Sequence, residues 1–196
     1  MMHEELWKKL ITLDPASTAK RARCKYLSES GCYLLVLLQR EFIIDPAQKK
    51  ISPAAKTHND EDADFIEQLC ILAYLINAQD IPLTDKLVTA NKLEGGQFFF
   101  RGPHALPTDK LEELFGSDPS LIYKASENLP AERSDYGDAS IKMLVLPRLP
   151  VYFVIWAGDD EFPPRVSTLF DNTADKQLPH DAIWAAVNLT IKALTT

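Results

Sequence analysis

The sequence predicts an α+β fold in which an antiparallel β-meander or sheet packs against a central apolar helix and several surrounding helices. Residues 32–52 contain short apolar runs separated by polar turns, which is the pattern of a meander. Residues 62–78 are amphipathic at first and then apolar nearly all round, as in a helix enclosed by other elements. Residues 151–156, VYFVIW, are all β-branched or aromatic and form the strongest strand signal in the chain.

Length and composition predict one globular domain over residues 1–196. A chain of 196 residues can bury one substantial core, and no internal stretch has the composition of a flexible linker. The formal net charge of −7 and the scattered Lys and Arg residues argue against a nucleic-acid partner. The domain divides into an N-terminal helical segment (1–23), the meander (32–52), the core helix (62–78), a strand pair with an acidic loop (139–171) and a C-terminal helix (179–195).

The first residues and the cysteines predict a reduced, cytoplasmic protein. The segment MMHEELWKKL carries charges throughout and lacks the apolar core of a secretory signal. No run approaches the roughly 18–20 apolar residues of a membrane span, so no membrane partner is expected. Cys24, Cys32 and Cys70 are odd in number and widely spaced, which fits neither a disulfide framework nor a zinc or iron–sulfur site. We therefore expect reduced, mostly buried thiols.

The N-terminal half predicts two helices followed by the meander. Residues 5–13 place Leu side chains along one side of a short helix, and Asp14-Pro15 supplies the cap and first turn of a second one. The seven apolar residues 32–38 predict a strand that is buried on both faces. Residues 42–45 and Ile51 predict the other two strands of the meander.

Between the core helix and the strongest strand, the sequence predicts a further strand, two helices and a loop. Gly95-Gly96 is a turn signal ahead of the strand-like residues 97–100, whose three Phe side chains would point to both faces of a strand. Residues 108–125 predict two short helices, the first capped by Thr108 or Asp109. The polar residues 130–138 are predicted to form a surface loop.

The chain then enters the stretch around which this half is organised, Met143 to Asp171. Residues 139–145 alternate with the period of a half-buried strand. The segment Pro147-Arg148-Leu149-Pro150 interrupts this pattern and predicts a bend or hairpin connection into residues 151–156, because Pro cannot donate to a sheet ladder. The last predicted helix, residues 179–194, has one continuous apolar face.

Three adjacent carboxylates, Asp159, Asp160 and Glu161, follow the strongest strand and form the densest acidic cluster. Hard cations such as Mg²⁺ or Ca²⁺ need several oxygen ligands at one point, so these are the expected ligands if the protein binds a metal. The spacing does not match an EF-hand, because the Asp-x-Asp-x-Asp-Gly ladder is absent. The alternative is a solvated turn whose carboxylates accept backbone N–H groups or pair with Arg148 and Arg165.

Other candidate binding residues flank this acidic loop or lie far from it. Trp156 ends the strand, Phe162 follows the carboxylates, and Asp171 lies downstream, where only the fold could bring it back to the cluster. His104 is the best candidate among the four His residues for a ligand or an acid/base group, and Arg101 precedes it closely.

No catalytic residue is predicted, because the sequence contains no recognised catalytic motif. It has no Gly-x-Ser-x-Gly and no Cys-His pair that the sequence itself places together. Gly95-Gly96 lacks the Lys-Ser or third Gly of a phosphate loop, so a nucleotide-dependent enzyme is not expected. His3, His58 and His180 each stand alone, and His180 is predicted to be an exposed residue at a helix start.

Five stretches between Leu69 and Leu194 carry a resemblance to a known family. They read LAYLINAQDIPLTDKLV, LEGGQFFF, LEELFG, GDASIKMLVLPRLPVYFVIWAGDDEFPPRVSTLFD and LPHDAIWAAVNLTIKAL. The string Trp-x-Gly-Asp-Asp-Glu-Phe-Pro with the later Leu-Phe-Asp is the most specific part. In these residues the chain resembles a family of bacterial and archaeal proteins known as domain of unknown function 3786.

This resemblance implies no established activity. Some family members look like fusions to a cysteine-rich iron–sulfur module, in anaerobes that handle one-carbon and corrinoid chemistry. The present chain departs from that arrangement because it lacks such a cysteine set. The resemblance therefore implies an association with a redox or corrinoid partner, and no cluster in this chain.

Three functions follow as hypotheses. The first is a soluble binding or accessory domain that uses the surface around Trp156 to Phe170 to hold a protein partner or a cofactor such as a tetrapyrrole. The second is a metal-dependent enzyme that uses the acidic loop, with His104 or His180 as a ligand or base. The third is a structural subunit of an oligomer. The first is preferred because no catalytic constellation is present, while aromatic and carboxylate residues share one short loop.

Overall fold

A computed structural model describes residues 3–55 and 61–196, and His58 lies outside them. Eight α-helices lie within the described residues: α1 (Glu4–Ile11), α2 (Pro15–Ala22), α3 (Phe65–Asn77), α4 (Gly96–Phe99), α5 (Asp109–Phe115), α6 (Leu121–Ala125), α7 (Ala174–Gln177) and α8 (His180–Leu194). Nine strands accompany them: β1 (Lys25–Leu27), β2 (Cys32–Leu37), β3 (Arg40–Asp45), β4 (Lys50–Pro53), β5 (Leu87–Thr89), β6 (Ala131–Ser134), β7 (Ala139–Leu146), β8 (Leu149–Trp156) and β9 (Arg165–Asp171). The prediction of an α+β fold is confirmed.

The first sheet is the predicted antiparallel meander, with the strand order β1-β2-β3-β4. Strand β1 was not expected from the sequence. The tight connection between β2 and β3 places Leu38 at a positive φ of 55°, and the Leu38 N–H donates to the carbonyl of Val145 in β7 at 2.8 Å. The expectation that β2 is buried on both faces is wrong at Val36, which is 42% exposed.

The second sheet has five antiparallel strands in the order β5-β9-β8-β7-β6. Strands β7 and β8 form the predicted hairpin, in which Leu146 pairs with Leu149 across the turn at Pro147-Arg148. The guanidinium of Arg148 is buried and donates to the carbonyls of Arg21 (2.6 Å) and Ile81 (3.0 Å) and to the Asp80 carboxylate. Arg148 therefore joins the hairpin to the N-terminal helices and is not a partner of the acidic loop.

Helix α3 is the central helix that its composition predicts. Asp64 caps it by accepting the N–H groups of Ile66 and Glu67, and the Glu67 side chain accepts the Asp64 N–H in return. This reciprocal capping box fixes where the helix begins. Residues 70–76 of α3 are buried all round, and they pack with α8 and both sheets into one hydrophobic cluster. None of the helices in the described residues is long and apolar enough to cross a membrane.

The two faces of the second sheet differ in exposure. Alternate residues such as Met143, Phe153 and Phe170 point into the hydrophobic cluster and are fully buried. The opposite, outward face carries partly exposed side chains, of which Leu144 is 43% exposed and Tyr152 is half-buried. The side chains available for recognition therefore lie on one side of this sheet.

Two predicted elements between the core helix and β7 are wrong. Residues 97–100 do not form a strand, because the packing of Gly96 against the carbonyl of Ala90 and the burial of Phe100 hold residues 97–99 in the short helix α4, which ends before Phe100. Residues 130–138 are not only a loop, since residues 131–134 form β6. This strand pairs with β7 at the edge of the sheet and is largely exposed, which explains why it lacks an apolar pattern.

Candidate functional site

The acidic loop is an exposed turn that Asp159 organises. One carboxylate oxygen of Asp159 accepts the N–H groups of Glu161 (2.8 Å) and Phe162 (2.7 Å), and the Asp159 N–H donates to the carbonyl of Phe162 at 2.9 Å. The N–H of Phe162, followed by that of Glu161, lowers the pKa of Asp159. Asp159, Asp160 and Glu161 are all exposed. Asp159 thus uses its charge to hold the turn.

This loop is anchored at both of its ends. The Gly158 N–H donates to the carbonyl of Gly116, the residue that ends α5, at 3.1 Å. The Ala157 N–H donates to a carboxylate oxygen of Asp138 at 2.8 Å. At Gly116 a Cβ atom would lie 2.4 Å from the Cβ of Pro164, so only glycine permits this close approach of loop and helix. The loop therefore has a defined conformation in spite of its exposure.

Three large side chains surround the loop. The guanidinium carbon of Arg165 lies 4.6 Å from the ring centroid of Trp156, and the two residues pair across β8 and β9. This is the geometry of a cation–π contact. Phe162, which follows the three carboxylates in the loop, is 66% exposed. Two aromatic side chains, Trp156 and Phe162, and the stacked Arg165 thus lie at the edge of the outward face.

The acidic loop does not assemble a metal site with the other candidates. Among residues 3–55 and 61–196, no group of three or more His, Cys, Asp and Glu side chains is arranged so that it could hold a metal ion. Asp171 lies at the far end of β9 from the loop, about 20 Å away at ~3.3 Å per residue.

The buried carboxylate of Asp171 has a structural task. One oxygen accepts the N–H groups of Thr84 (2.9 Å) and Asp85 (2.8 Å), and the other accepts the N–H (3.0 Å) and hydroxyl (2.6 Å) of Thr173. Burial alone raises the pKa of Asp171 and is the largest single effect. The hydrogen bonds from Thr173, Thr84 and Asp85 together outweigh it and hold the pKa below its usual value. Asp171 therefore fixes the segment that leads into β5.

The fold brings His104 and His180 to the same aromatic cluster. The His104 ring stacks on Phe99 at 4.5 Å between centroids and at an interplanar angle of 19°, and it meets Trp184 edge-on at 6.4 Å. The His180 ring lies 5.6 Å from Phe99 and 5.4 Å from Phe100. His104 is exposed, whereas His180, predicted to be exposed, is half-buried. The imidazole rings of His104 and His180 thus both pack against Phe99.

Gly95 and Gly96 make this cluster possible. Gly95 has a φ of 79°, in the left-handed region that favours glycine, and a Cβ there would lie 3.4 Å from the His180 ring. At Gly96 a Cβ would lie 2.0 Å from the Ala90 carbonyl oxygen. The paired glycines are thus explained by close packing around α4. Arg101, which follows α4, is exposed.

Sequence reasoning missed three members of the outward face. Tyr152 and Leu169 pair across β8 and β9, and Lys142 pairs with Tyr152 from β7. The alternation in residues 151–156 already assigns Tyr152 and Trp156 to one face. The alternation in β9 likewise assigns Leu169 to the outward face, because Val166, Thr168 and Phe170 all point inward.

Comparison with known proteins identifies the family. The family described as Domain of unknown function (DUF3786) matches residues 14–193, which is nearly the whole chain. Neither the curated proteins nor the solved structures gave a significant match. The match includes both sheets, the core helix, the acidic loop and the aromatic cluster, and the chain therefore belongs to the DUF3786 family.

Proposed function

We propose that this protein is a non-catalytic accessory domain that docks a partner protein through the outward face of its second sheet. The docking face consists of Tyr152, Trp156, Phe162, Arg165 and Leu169. The observation that carries the proposal is the 66% exposure of Phe162 on the anchored acidic loop, which follows the strand that carries the half-buried Tyr152 and Trp156.

The composition of the docking face is typical of protein interfaces. Trp, Tyr and Arg are the residue types most enriched among the side chains that dominate binding energy. The stack of Arg165 on Trp156 orders both side chains before a partner arrives, which reduces the entropy lost on binding. Tyr152 and Leu169 are direct cross-strand neighbours and form a second part of the face, which Val154, only 1% exposed, separates from Trp156. These features support recognition by an apolar, preorganised surface.

The acidic loop adds a charge preference to this face. Asp160 and Glu161 are exposed beside Phe162, and the chain as a whole carries a formal charge of −7. A partner with Lys or Arg around an apolar recess would be attracted by these carboxylates and would bind faster at low salt. A basic protein surface is therefore the partner chemistry that we propose.

We further infer that the partner handles redox or corrinoid/tetrapyrrole chemistry. This inference rests on the family resemblance, in which related chains are joined to iron–sulfur modules. Because this chain has only three widely spaced cysteines, the cofactor would belong to the partner. The docking proposal does not depend on this finer assignment.

The docking proposal is tested by affinity capture with a matched pair of variants. Phe162→Ser and Phe98→Ser both remove an exposed Phe, 66% and 68% exposed respectively, but Phe98 lies on α4 and outside the docking face. A partner recovered from extracts of the source organism is then purified and titrated by calorimetry. We expect Phe162→Ser to weaken binding at least tenfold and Phe98→Ser to leave it unchanged.

Three other results would change the conclusion. Equal binding by Phe162→Ser and Phe98→Ser would refute the docking face. A homodimer of the protein that Phe162→Ser dissociates would show that the face joins two copies, which is the structural-subunit hypothesis. If Asp160→Ala leaves the salt dependence of binding unchanged, the proposed basic partner surface is wrong.

A further inference from the structure

A groove lies where three helices meet, at the end of α8 and the beginnings of α3 and α5. Its volume is about 450 Å³, within the range of roughly 300–1,000 Å³ that is usual for ligand sites. A second depression of about 200 Å³ continues it toward the turn between β2 and β3, because Leu189, Lys192 and Thr196 line both. The two depressions therefore form one continuous groove.

The walls of this groove combine apolar and basic side chains. Ile66 and Pro107 are half-buried and contribute apolar surface. Lys110 and Lys192 are exposed at the same walls. Neither ammonium group forms an ion pair within residues 3–55 and 61–196. Both positive charges are therefore available to a bound molecule.

The acidic side chains of the groove are engaged by other groups. One carboxylate oxygen of Asp64 accepts the N–H groups of Ile66 and Glu67 at the start of α3. The Glu67 carboxylate accepts the Asp64 N–H and pairs with Arg40 at 2.7 Å. These two carboxylates hold the end of the helix, so the charges that remain unpaired in the groove are the two lysines. The groove thus favours anions, although the whole chain carries a formal charge of −7.

The charge of Lys110 is not explained by the helix that carries it. Lys110 lies in the first turn of α5, directly after Asp109. The positive end of the helix dipole is there, and it favours carboxylates and disfavours a cation. Lys192 differs, because it lies in the last turn of α8, where a cation is favoured. What Lys110 does provide is a second ammonium group in the groove that Lys192 lines.

We propose that this groove binds an acidic peptide segment of a partner protein. Aliphatic side chains of the segment would pack against Ile66 and Pro107, and its carboxylates would pair with Lys110 and Lys192. Charge complementarity decides the occupant, since a basic segment would be repelled and an uncharged one would leave both ammonium groups without a partner. The groove shares no residue with the docking face, and this proposal does not depend on the docking proposal.

The proposal is tested by titrating the full chain with three fluorescein-labelled peptides, each blocked at both ends. The first has two central leucines flanked on each side by two glutamates. The second replaces the glutamates with glutamines, and the third replaces the leucines with serines. We expect the first peptide to give saturable anisotropy and to shift the backbone amide signals of Ile66, Lys110 and Asn188. The other two should bind at least tenfold more weakly.

Variants with single lysine changes test the assigned contacts. Lys110→Ala and Lys192→Ala should each weaken binding of the first peptide at least threefold, and the double variant at least tenfold. Lys86→Ala is the matched control, because Lys86 is also exposed but lies before β5, outside the groove. Phe162→Ser should bind the peptide like the wild type, which separates this groove from the docking face. Thermal unfolding verifies that each variant is folded.

Three results would overturn the proposal. The first is no saturation by the peptide of glutamates and leucines, or equal binding by Lys110→Ala, Lys192→Ala and Lys86→Ala. The second is equally tight binding of the glutamine peptide, which would refute the role of charge. The third is a shift of the groove amides with the concentration of the protein alone, which would assign the groove to a second copy of the chain.

Discussion

Replacing Asp171 with asparagine should destabilise the protein strongly, although the substitution changes few atoms. Both carboxylate oxygens of Asp171 accept two short hydrogen bonds, from Thr84 and Asp85 on one side and from Thr173 on the other. Asparagine keeps one oxygen and presents an NH₂ group to the donors that face the other. At least two bonds to a charged acceptor are then lost, whichever way the amide turns.

The size of this effect follows from the number of bonds. A hydrogen bond to a charged group contributes about 1.5 kcal/mol or more, so the loss of two costs about 3 kcal/mol. For a protein of this length, each kcal/mol lowers the melting temperature by roughly 2–4 °C, which gives a decrease of about 6–12 °C. Asp159→Asn is the control. Only one oxygen of Asp159 accepts the turn N–H groups, so an asparagine oxygen can keep both bonds, and the melting temperature should fall much less than in Asp171→Asn.

The effect of Asp171→Asn should also depend on pH with a definite sign. The pKa of Asp171 is lowered in the folded protein, so its contribution to stability is complete above the unfolded pKa of about 3.9. The contribution is lost as the pH falls through the folded pKa. The difference in unfolding free energy between wild type and variant should therefore be constant from about pH 7 to pH 5 and shrink below about pH 4. Equal melting temperatures at pH 7, or a difference that grows in acid, would refute this account of Asp171.

Two further predictions concern the loop anchor and a cysteine. Gly116→Ala places a Cβ 2.4 Å from Pro164, so it should displace the acidic loop, cost about 1–3 kcal/mol in a thermal unfolding experiment, and change the amide signals of Gly158; an unchanged melting curve would contradict the close packing. Burial raises the pKa of Cys24 from 9.0 to about 11, so its alkylation by iodoacetamide at pH 8 should be about 100-fold slower than that of an ordinary thiol. A rate equal to that of free cysteine would show that this burial is wrong.

The elements that the sequence predicts well are those whose signals are local. The last helix has its apolar face within fifteen residues, and Asp14-Pro15 carries the cap and first turn of α2 in adjacent positions. Residues 151–156 have strong β-branched and aromatic preference, and they form a strand buried on the inward face as expected. In each case the residues that decide the structure are neighbours in the chain.

The failures come from contacts between distant residues. Residues 97–100 have the composition of a strand, but packing against Ala90 and His180 makes them helical. The structural role of Asp171 depends on Thr84, which precedes it by 87 residues. No local sequence pattern could therefore have shown that Asp171 has a role different from that of the acidic loop. The stacking of Arg165 on Trp156 likewise requires the register of β8 and β9, which the sequence alone does not specify.

The carboxylates with a shifted pKa in the described residues hold parts of the structure in place. The carboxylates with a shifted pKa are Glu4, Glu94, Asp159 and Asp171, and in all of them the pKa is lowered by groups that hold the fold in place. Asp159 and Asp171 hold backbone segments, and Arg148 joins the hairpin to the helices. The exposed Asp160, Glu161 and Phe162 and the stacked Arg165 take no part in holding these segments, and they are the groups that the proposed docking to a basic partner surface uses.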